Sequence, residues 1–385
     1  MRIAIFTNNY LPNPYGVTGS IESFRNELEK HGHTVFIFAP KFPGYVDTNK
    51  NVFRYPAIDV NIRFRFPLAV PYSWKMNRIL RDLEIDIIHA QHPNLLGAAA
   101  ARWARRKNIP LVFTWHTLYD KYTNFVPFIP PKLSAGYIIG KAVRYADRAD
   151  AVIVPTDSII PILREWGVKN KKIFPVATGV LEKEFEKPDR KTIREKYGIA
   201  DDKTLLLLIS RLTGEKNVEF VLRSVARILR KENKLKFLVS GGGYLVPEIK
   251  KYVAENGLQN KIILTDVVER QELKNYYAAA DIFVYGSKSE TQGMVVSEAM
   301  YCGLPIVAVN ATGTSSLVLN NGNGFLVSEN EEEFAAAVIK LIEDKDLRQK
   351  FGETSARIAR IKFTSDVCAE EVLKVYGQVM AEDLS

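Results

Sequence analysis

No window of the 385-residue chain approaches the roughly 18 uncharged apolar residues that a membrane-spanning helix needs, which excludes a helical span. Cysteine is almost absent. Cys302 and Cys368 are the only two, far apart and without metal-ligand spacing, so neither a disulfide scaffold nor a cysteine-rich metal site is expected. The opening "MRIAIFTNNY" has an apolar run too short for a signal peptide. Few thiols and no export signal together predict a reducing, cytoplasmic setting. Low complexity and short repeats are missing too. With 46% hydrophobic and 25% charged residues, the composition is that of a folded protein rather than a disordered one.

Apolar runs alternate with helical patterns. "RIAIFT" (2–7), "HTVFIFAP" (33–40), "IDIIHAQ" (85–91), "PLVFTWHT" (110–117) and "DAVIVPT" (150–156) read as buried strands. A loop "NNYLPNPYGVTG" follows the first, and "SIESFRNELEKHG" repeats Ile21, Phe24 and Leu28 at helical spacing. The pattern restarts with "TLLLLIS" (204–210), "LKFLVSGGG" (235–243), "KIILTDV", "DIFVYGS" and "LPIVAVN". Two successive α/β domains with doubly wound parallel sheets are predicted, joined near residues 177–188. The last helix has enough apolar positions to cross back onto the first domain.

Acidic charge is scarce in one half. Residues 1–180 hold 24 Lys and Arg against 13 Asp and Glu, a surplus of +11; the remainder holds 29 against 31. An anionic partner is expected on the first half. Residues 61–81, "NIRFRFPLAVPYSWKMNRILR", contain Arg63, Arg65, Lys75, Arg78 and Arg81 and no acid, with Trp74 and other large apolar residues between them. Cations beside insertable rings suit a peripheral membrane surface; an edge strand and loop packed on the domain is the competing account. "ARWARRKN" adds a second basic cluster at a helix end. No nucleic-acid fold signature accompanies these charges, so nucleic acid is not an expected partner.

In open α/β sheets, ligands sit at the carboxyl ends of strands, where helix N-termini favour phosphate. "PYGVTGS" and "KSETQG" are the two loops suited to that, the second leading into a helix expected to begin near Thr291 or Gln292. Glu290 and Glu298 flank an uncharged run, and a carboxylate at each end suits vicinal hydroxyls. Arg211 and Lys216 in "SRLTGEKN" fall at a strand end, where they would neutralise a departing diphosphate; a plain ion pair between Arg211 and Glu215 is the weaker expectation. His116, with Asp120 after it, ends a strand of the first domain and is a candidate substrate contact. No His/Cys cluster demands a metal. Neither domain carries the G-x-G-x-x-G turn of a dinucleotide oxidoreductase.

The order "YGVTGSIESFRNELEKHGH", "HTLYDKY", "SRLTGEKN", "GGGY" and "SETQGMVVSEAMYCGLPIVA" resembles glycosyltransferase family 4, retaining enzymes of the GT-B fold. The resemblance implies two Rossmann-like domains facing across a cleft: an acceptor-side domain, 1–180, with helix 366–385 packing on it, and a nucleotide-sugar domain, 181–365. It further implies that Glu290 contacts donor-sugar hydroxyls and Glu298 the ribose. Amides of Gly293, Met294 and Val295 would face sugar and phosphates, and Arg211 and Lys216 would hold the diphosphate. Gly16 would lie in an N-terminal phosphate loop, His116 near the hexose, and the base near Val268. "SETQG" and the spacing of "HTLYDKY" are similar to the diacylglycerol glucosyltransferases, which implies UDP-glucose as donor, no cofactor, and a lipid acceptor. The anionic membrane would then be met through Arg63, Arg65, Trp74, Lys75 and Arg78, peripherally on the inner face of the plasma membrane. "GGGY" and "TDVVER" depart from the family pattern, the latter beside the base pocket, leaving uracil and guanine both open. A soluble acceptor, or GDP-mannose transfer to a phosphatidylinositol-like lipid, is the alternative.

Overall fold

A computed structural model describes residues 1–13, 16–61, 65–120 and 131–383. They form two units, Met1–Gly179 with Ser365–Ser385, and Val180–Thr364.

In the first unit, β1 (Arg2–Phe6) lies mid-sheet and is buried from its second residue. Alternate side chains serve two cores: Ala4 and Phe6 pack on one side, Ile3 and Ile5 on the other. That two-sided burial is why the strand reads as an unbroken apolar run. Then come α1 (Gly16–Lys30), β2 (Thr34–Pro40), β3 (Val52–Tyr55), and an antiparallel hairpin of β4 (Ala57–Asn61) and β5 (Arg65–Ala69). They are followed by α2 (Trp74–Asp82), β6 (Ile87–Ala90), α3 (Leu96–Lys107), β7 (Leu111–Thr114), α4 (Pro131–Ala146), β8 (Ala151–Val154), α5 (Ile159–Glu165) and β9 (Ile173–Pro175). The parallel sheet runs β3-β2-β1-β6-β7-β8-β9, with Ile3 in register with both Val35 and Ile87. The order reverses beside β1, the switch point at which such sheets bind ligands.

Two expectations change here. The first helix begins at Gly16, so Gly19 lies inside it rather than in a phosphate-binding loop. The segment read as an edge strand and loop holds more structure than that: Ala57–Asn61 pairs with Arg65–Ala69, and α2 follows, where the Ser73 hydroxyl caps the Met76 amide at 3.3 Å. Met76 and Leu80 face inward, while Trp74 is 94% exposed, and Lys75, Arg78 and Arg81 are exposed. Arg63 lies outside the described residues, and Arg65 opens β5.

The second unit repeats the logic with α6 (Arg190–Lys196), β10 (Thr204–Ile209), α7 (Val218–Leu229), β11 (Leu235–Ser240), α8 (Val246–Glu255) and β12 (Ile262–Thr265). It continues through α9 (Leu273–Ala279), β13 (Ile282–Tyr285), α10 (Met294–Tyr301), β14 (Ile306–Val309), α11 (Thr314–Leu317), β15 (Gly324–Val327), α12 (Glu331–Glu343) and α13 (Lys345–Lys362). All pairings in the order β12-β11-β10-β13-β14-β15 are parallel. Leu206, Phe237 and Ile282 stand in register and help form a core covered by α7, α8 and α12. Here the switch point flanks β10, which sends its loop out between those of β11 and β13.

The chain then returns to the first unit as α14 (Ser365–Asp383). Cys368, Val372, Tyr376 and Val379 join Ile3, Ile5, Ile21 and Phe24 in one core. The Tyr376 hydroxyl meets His89 Nδ1 at 2.7 Å, and His89 Nε2 meets Thr114 Oγ1 at 2.6 Å. Burial pushes the His89 imidazole down to about 3, so it stays neutral and joins helix to sheet by hydrogen bonds. No helix among the described residues is long and apolar enough to cross a membrane.

Candidate functional site

Because β10 and β13 are neighbours, the loops leaving their carboxyl ends meet. The first loop carries Arg211, Thr213 and Lys216; the second carries Ser287, Ser289 and Glu290. The Ser287 and Ser289 hydroxyls donate to the Glu215 carbonyl at 3.5 and 3.3 Å, tying the loops together. Lys216 Nζ donates to Glu290 Oε1 at 2.5 Å, with both side chains largely buried. Tyr285, the last residue of β13, donates its hydroxyl to the same oxygen at 2.5 Å. Burial alone would raise the Glu290 carboxyl, but the Lys216 ammonium and the Tyr285 and Ser287 hydroxyls outweigh it, and the pKa lies below the usual value. Burial and the Glu290 charge raise the Tyr285 phenol far above its usual range, so it remains a donor.

Arg211 pairs with Glu215 at 3.1 Å, the weaker of the two expectations for it, and is 42% exposed. Its charge still reaches the Tyr285 phenol. Between Arg211 and Lys216, the Thr213 hydroxyl is buried and finds no partner among the described residues. A buried orphan hydroxyl is rare.

The glycines of "GGGY" let a third loop approach. A Cβ on Gly243 would stand 2.1 Å from the Leu212 carbonyl oxygen, so only glycine fits where the loops touch. The Tyr244 hydroxyl accepts from the Gly214 amide at 2.8 Å and so fastens this loop to the first.

The helix after Glu290 starts later than expected. Gly293, at φ +91°, is the N-cap, and α10 begins at Met294. Glu290 therefore sits on the loop and Glu298 inside the helix. Gly293 is buried, and Met294 and Val295 are half-buried at the first turn. Glu298 is buried beneath Arg270, whose Nη1 donates to Oε1 at 2.5 Å; Tyr277 donates to Oε2 at 2.8 Å. Val268 is half-buried in the loop after β12, two residues from Arg270.

The first unit holds the two remaining candidates. Gly16 opens α1, after β1. His116 lies two residues beyond β7, half-buried, with Nε2 2.6 Å from Gln91 Oε1. Burial, with His92 and His89 nearby, holds its imidazole well below the usual range; it is a neutral hydrogen-bonding group rather than a cation. Asp120 is exposed at the end of a short turn.

Sequence spacing pointed to neither Tyr285, Arg270, Thr213 nor Gly313. Gly313, at φ +82°, lies against Glu290: an added Cβ would come within 2.7 Å of the Glu290 carbonyl oxygen and 2.9 Å of its Cβ. Replacing Gly313 with alanine displaces the carboxylate. The expected result is a loss of about 100-fold in kcat/KM, with an unchanged far-UV circular dichroism spectrum. Activity within twofold of the parent would contradict the placement.

Comparison with known proteins identifies the family and the fold. Residues 14–182 match the family model described as Glycosyltransferase Family 4, and residues 189–357 match that of Glycosyl transferases group 1. An alpha-monoglucosyldiacylglycerol synthase of Streptococcus pneumoniae is 32% identical over 91% of this chain and 80% of its own. A GDP-mannose-dependent alpha-mannosyltransferase of Corynebacterium glutamicum is 28% identical over 89% of this chain and 81% of its own. Among solved structures, sucrose-phosphate synthase from Thermosynechococcus elongatus superposes with a TM-score of 0.82 at 20% identity, covering 99% of each chain. Anabaena HepE, solved with UDP and glucose, superposes at 0.78 and 18% identity, over 98% of this chain and 100% of its own. With two parallel α/β sheets and these matches, the chain belongs to glycosyltransferase family 4 and is a glycosyltransferase of the GT-B fold.

Proposed function

We propose that this enzyme transfers glucose from UDP-glucose to a lipid acceptor such as diacylglycerol, with retention, at an anionic membrane surface. In this reading Glu290 accepts hydrogen bonds from hexose hydroxyls and Glu298 from the ribose. Arg211, Lys216 and the first amides of α10 receive the diphosphate, with Gly293, Met294 and Val295 against sugar and phosphates and the base near Val268. The bond from the anomeric carbon to the β-phosphate oxygen breaks and a bond to the acceptor oxygen forms. The acceptor proton passes to the departing phosphate, and UDP leaves. Positive groups stabilise the charge on that phosphate as it grows. These cations supply what a metal would, so the reading requires none.

The observation that carries the lipid acceptor is the outer face of α2. Trp74 stands fully out with Lys75, Arg78 and Arg81 beside it, over an inner face that is buried. Rings at the interface with cations at headgroup level are the composition of a peripheral helix. Arg102 of α3 stacks on exposed Tyr72, in the segment just before α2, at 4.3 Å. Beyond it, a groove of about 1350 Å³ is lined by Arg102, Arg105, Arg106, Lys141, Arg144 and Arg148 against a single acid, Asp150. The Streptococcus pneumoniae and Acholeplasma laidlawii relatives named alpha-monoglucosyldiacylglycerol synthase support the same acceptor. In this reading the enzyme sits peripherally on the inner face of the plasma membrane. The second reading, GDP-mannose as donor, draws on the relatives named for that donor and on the Asp266–Val267 pair beside Val268.

The test offers radiolabelled UDP-glucose, UDP-galactose and GDP-mannose to the purified protein, with and without vesicles of diacylglycerol and phosphatidylglycerol. The expected product is an α-glucosyl lipid formed only from UDP-glucose with vesicles, at a rate unchanged by EDTA. Replacing Trp74, Lys75 and Arg78 together with alanine is expected to cut vesicle sedimentation at least fivefold while sparing UDP binding. Transfer from GDP-mannose, or equal transfer to a soluble acceptor without vesicles, overturns the reading.

A further inference from the structure

Glu298 is 2% exposed and its ion-pair partner Arg270 is 43% exposed, so Arg270 is the outer member of the pair. The Glu298 carboxylate and the more exposed guanidinium thus stand side by side, within hydrogen-bond distance. The guanidinium is held from three sides: Nη1 donates to Glu298 Oε1 at 2.5 Å, Nε donates to Glu184 Oε2 at 2.7 Å, and Cζ lies 5.5 Å from the centroid of the Phe185 ring. Burial alone would lower its pKa, but Glu298 and Glu184 outweigh that and raise it, so it is always a cation. Two carboxylates already balance that single charge, which makes Arg270 a poor receiver for phosphate and leaves it a rigid hydrogen-bond donor.

The hydrogen-bond inventory is uneven in a useful way. A guanidinium has five N–H donors and a carboxylate about four acceptor sites. Arg270 spends one donor on each of two carboxylates. Glu298 receives one hydrogen bond from Arg270 and one from Tyr277. Spare donors and spare acceptors therefore stand side by side. A hydroxyl both donates and accepts, so a mixed pair engages both capacities of a vicinal diol, where a carboxylate by itself engages only the hydrogens.

Resting on the reading that Glu298 takes the ribose, we infer that Arg270 is a second ribose contact and a determinant of the preference for ribonucleotides. Its guanidinium donates to the oxygen of the hydroxyl whose hydrogen goes to Glu298. Glu184 and Phe185 keep the guanidinium in place for this.

Equilibrium binding of UDP, GDP and their 2′-deoxy forms to the full-length protein tests the inference. For the nucleotide that the parent protein binds, removing the 2′-hydroxyl is expected to weaken binding at least tenfold, the range for hydrogen bonds to charged groups. In Arg270→Ala the ribonucleotide weakens about tenfold and the 2′-deoxy form less than twofold, so the preference collapses. Arg270→Lys, which keeps a donor and the charge, retains about a third of the preference. The donor KM rises in the alanine variant while kcat stays within about threefold, the mark of a contact equal in ground and transition states. Should Arg270→Ala fail to fold, the lysine variant carries the test alone.

A ribo-to-deoxy ratio unchanged in the variants overturns the inference, whether both nucleotides weaken equally or neither does. Parent protein that binds UDP or GDP without regard to the 2′-hydroxyl overturns it as well. Parent protein that binds neither nucleotide removes the nucleotide-sugar reading itself, a separate failure.

Discussion

Replacing Glu290 with glutamine lowers kcat/KM by about 100- to 1000-fold, roughly 3–4 kcal/mol of transition-state stabilisation. The change is isosteric, so the loop keeps its shape and the effect isolates the charge. In the parent protein Lys216 and Tyr285 both donate to Glu290 Oε1, at 2.5 Å each. Glutamine presents one oxygen and one NH₂ group to those two donors. It has fewer acceptor sites for the hexose, and the largely buried Lys216 ammonium loses its counter-charge. Steady-state kinetics with a saturating lipid acceptor measure the loss. Turnover within fivefold of the parent would show that Glu290 has no part in the reaction.

Lys216→Met has an effect of the same size and also moves the pH profile. Three groups hold the Glu290 carboxyl below its ordinary value of 4.5 against the upward push of burial, and Lys216 contributes the largest of those lowering effects. With the ammonium gone, burial dominates and the carboxyl pKa rises. The acid limb of kcat/KM, which reports ionisation of the free enzyme, therefore shifts to higher pH, and activity at neutral pH falls by about 1000-fold. The sign follows from which state is favoured: the cation stabilises the carboxylate, and its loss favours the protonated form. An acid limb that stays put or moves down would separate Lys216 from Glu290. Because the two side chains act as one unit, the Lys216→Met, Glu290→Gln double variant is expected within about tenfold of either single one, far from the product of the two losses.

How much of this was readable beforehand depended on whether the cause was local. "TLLLLI" in β10 is buried on both faces, and continuous burial leaves a continuous apolar run. The uncharged stretch from Glu290 to Glu298 likewise marked a segment that passes inside the protein. By contrast, the start of α10 depends on the φ of +91° at Gly293, which no residue pattern states. The reach of α1 back to Gly16 is similar, since a Pro/Gly/Asn-rich stretch reads as loop. β15, Gly324–Val327, is too short to stand out from the turn residues around it. Tyr285 looked like a strand end, and only the pairing of β10 with β13 brings Lys216 to the same carboxylate. Arg270 comes from 28 residues upstream of Glu298, and Gly313 reaches Glu290 from the following strand unit. Contacts of that kind are set by sheet order, and sheet order is not written in spacing.

The order of the elements also bears on how the chain acquires its structure during translation. A nascent polypeptide emerges from its amino end, yet Val372, Tyr376 and Val379, which plug one face of the amino-terminal sheet, are synthesised after every residue of Val180–Thr364. Until they emerge, Ile3, Ile5, Ile21 and the imidazole of His89 lack their cover. The later half thus has all its own parts first, and the earlier half waits with an unfinished flank open to chaperones and to aggregation.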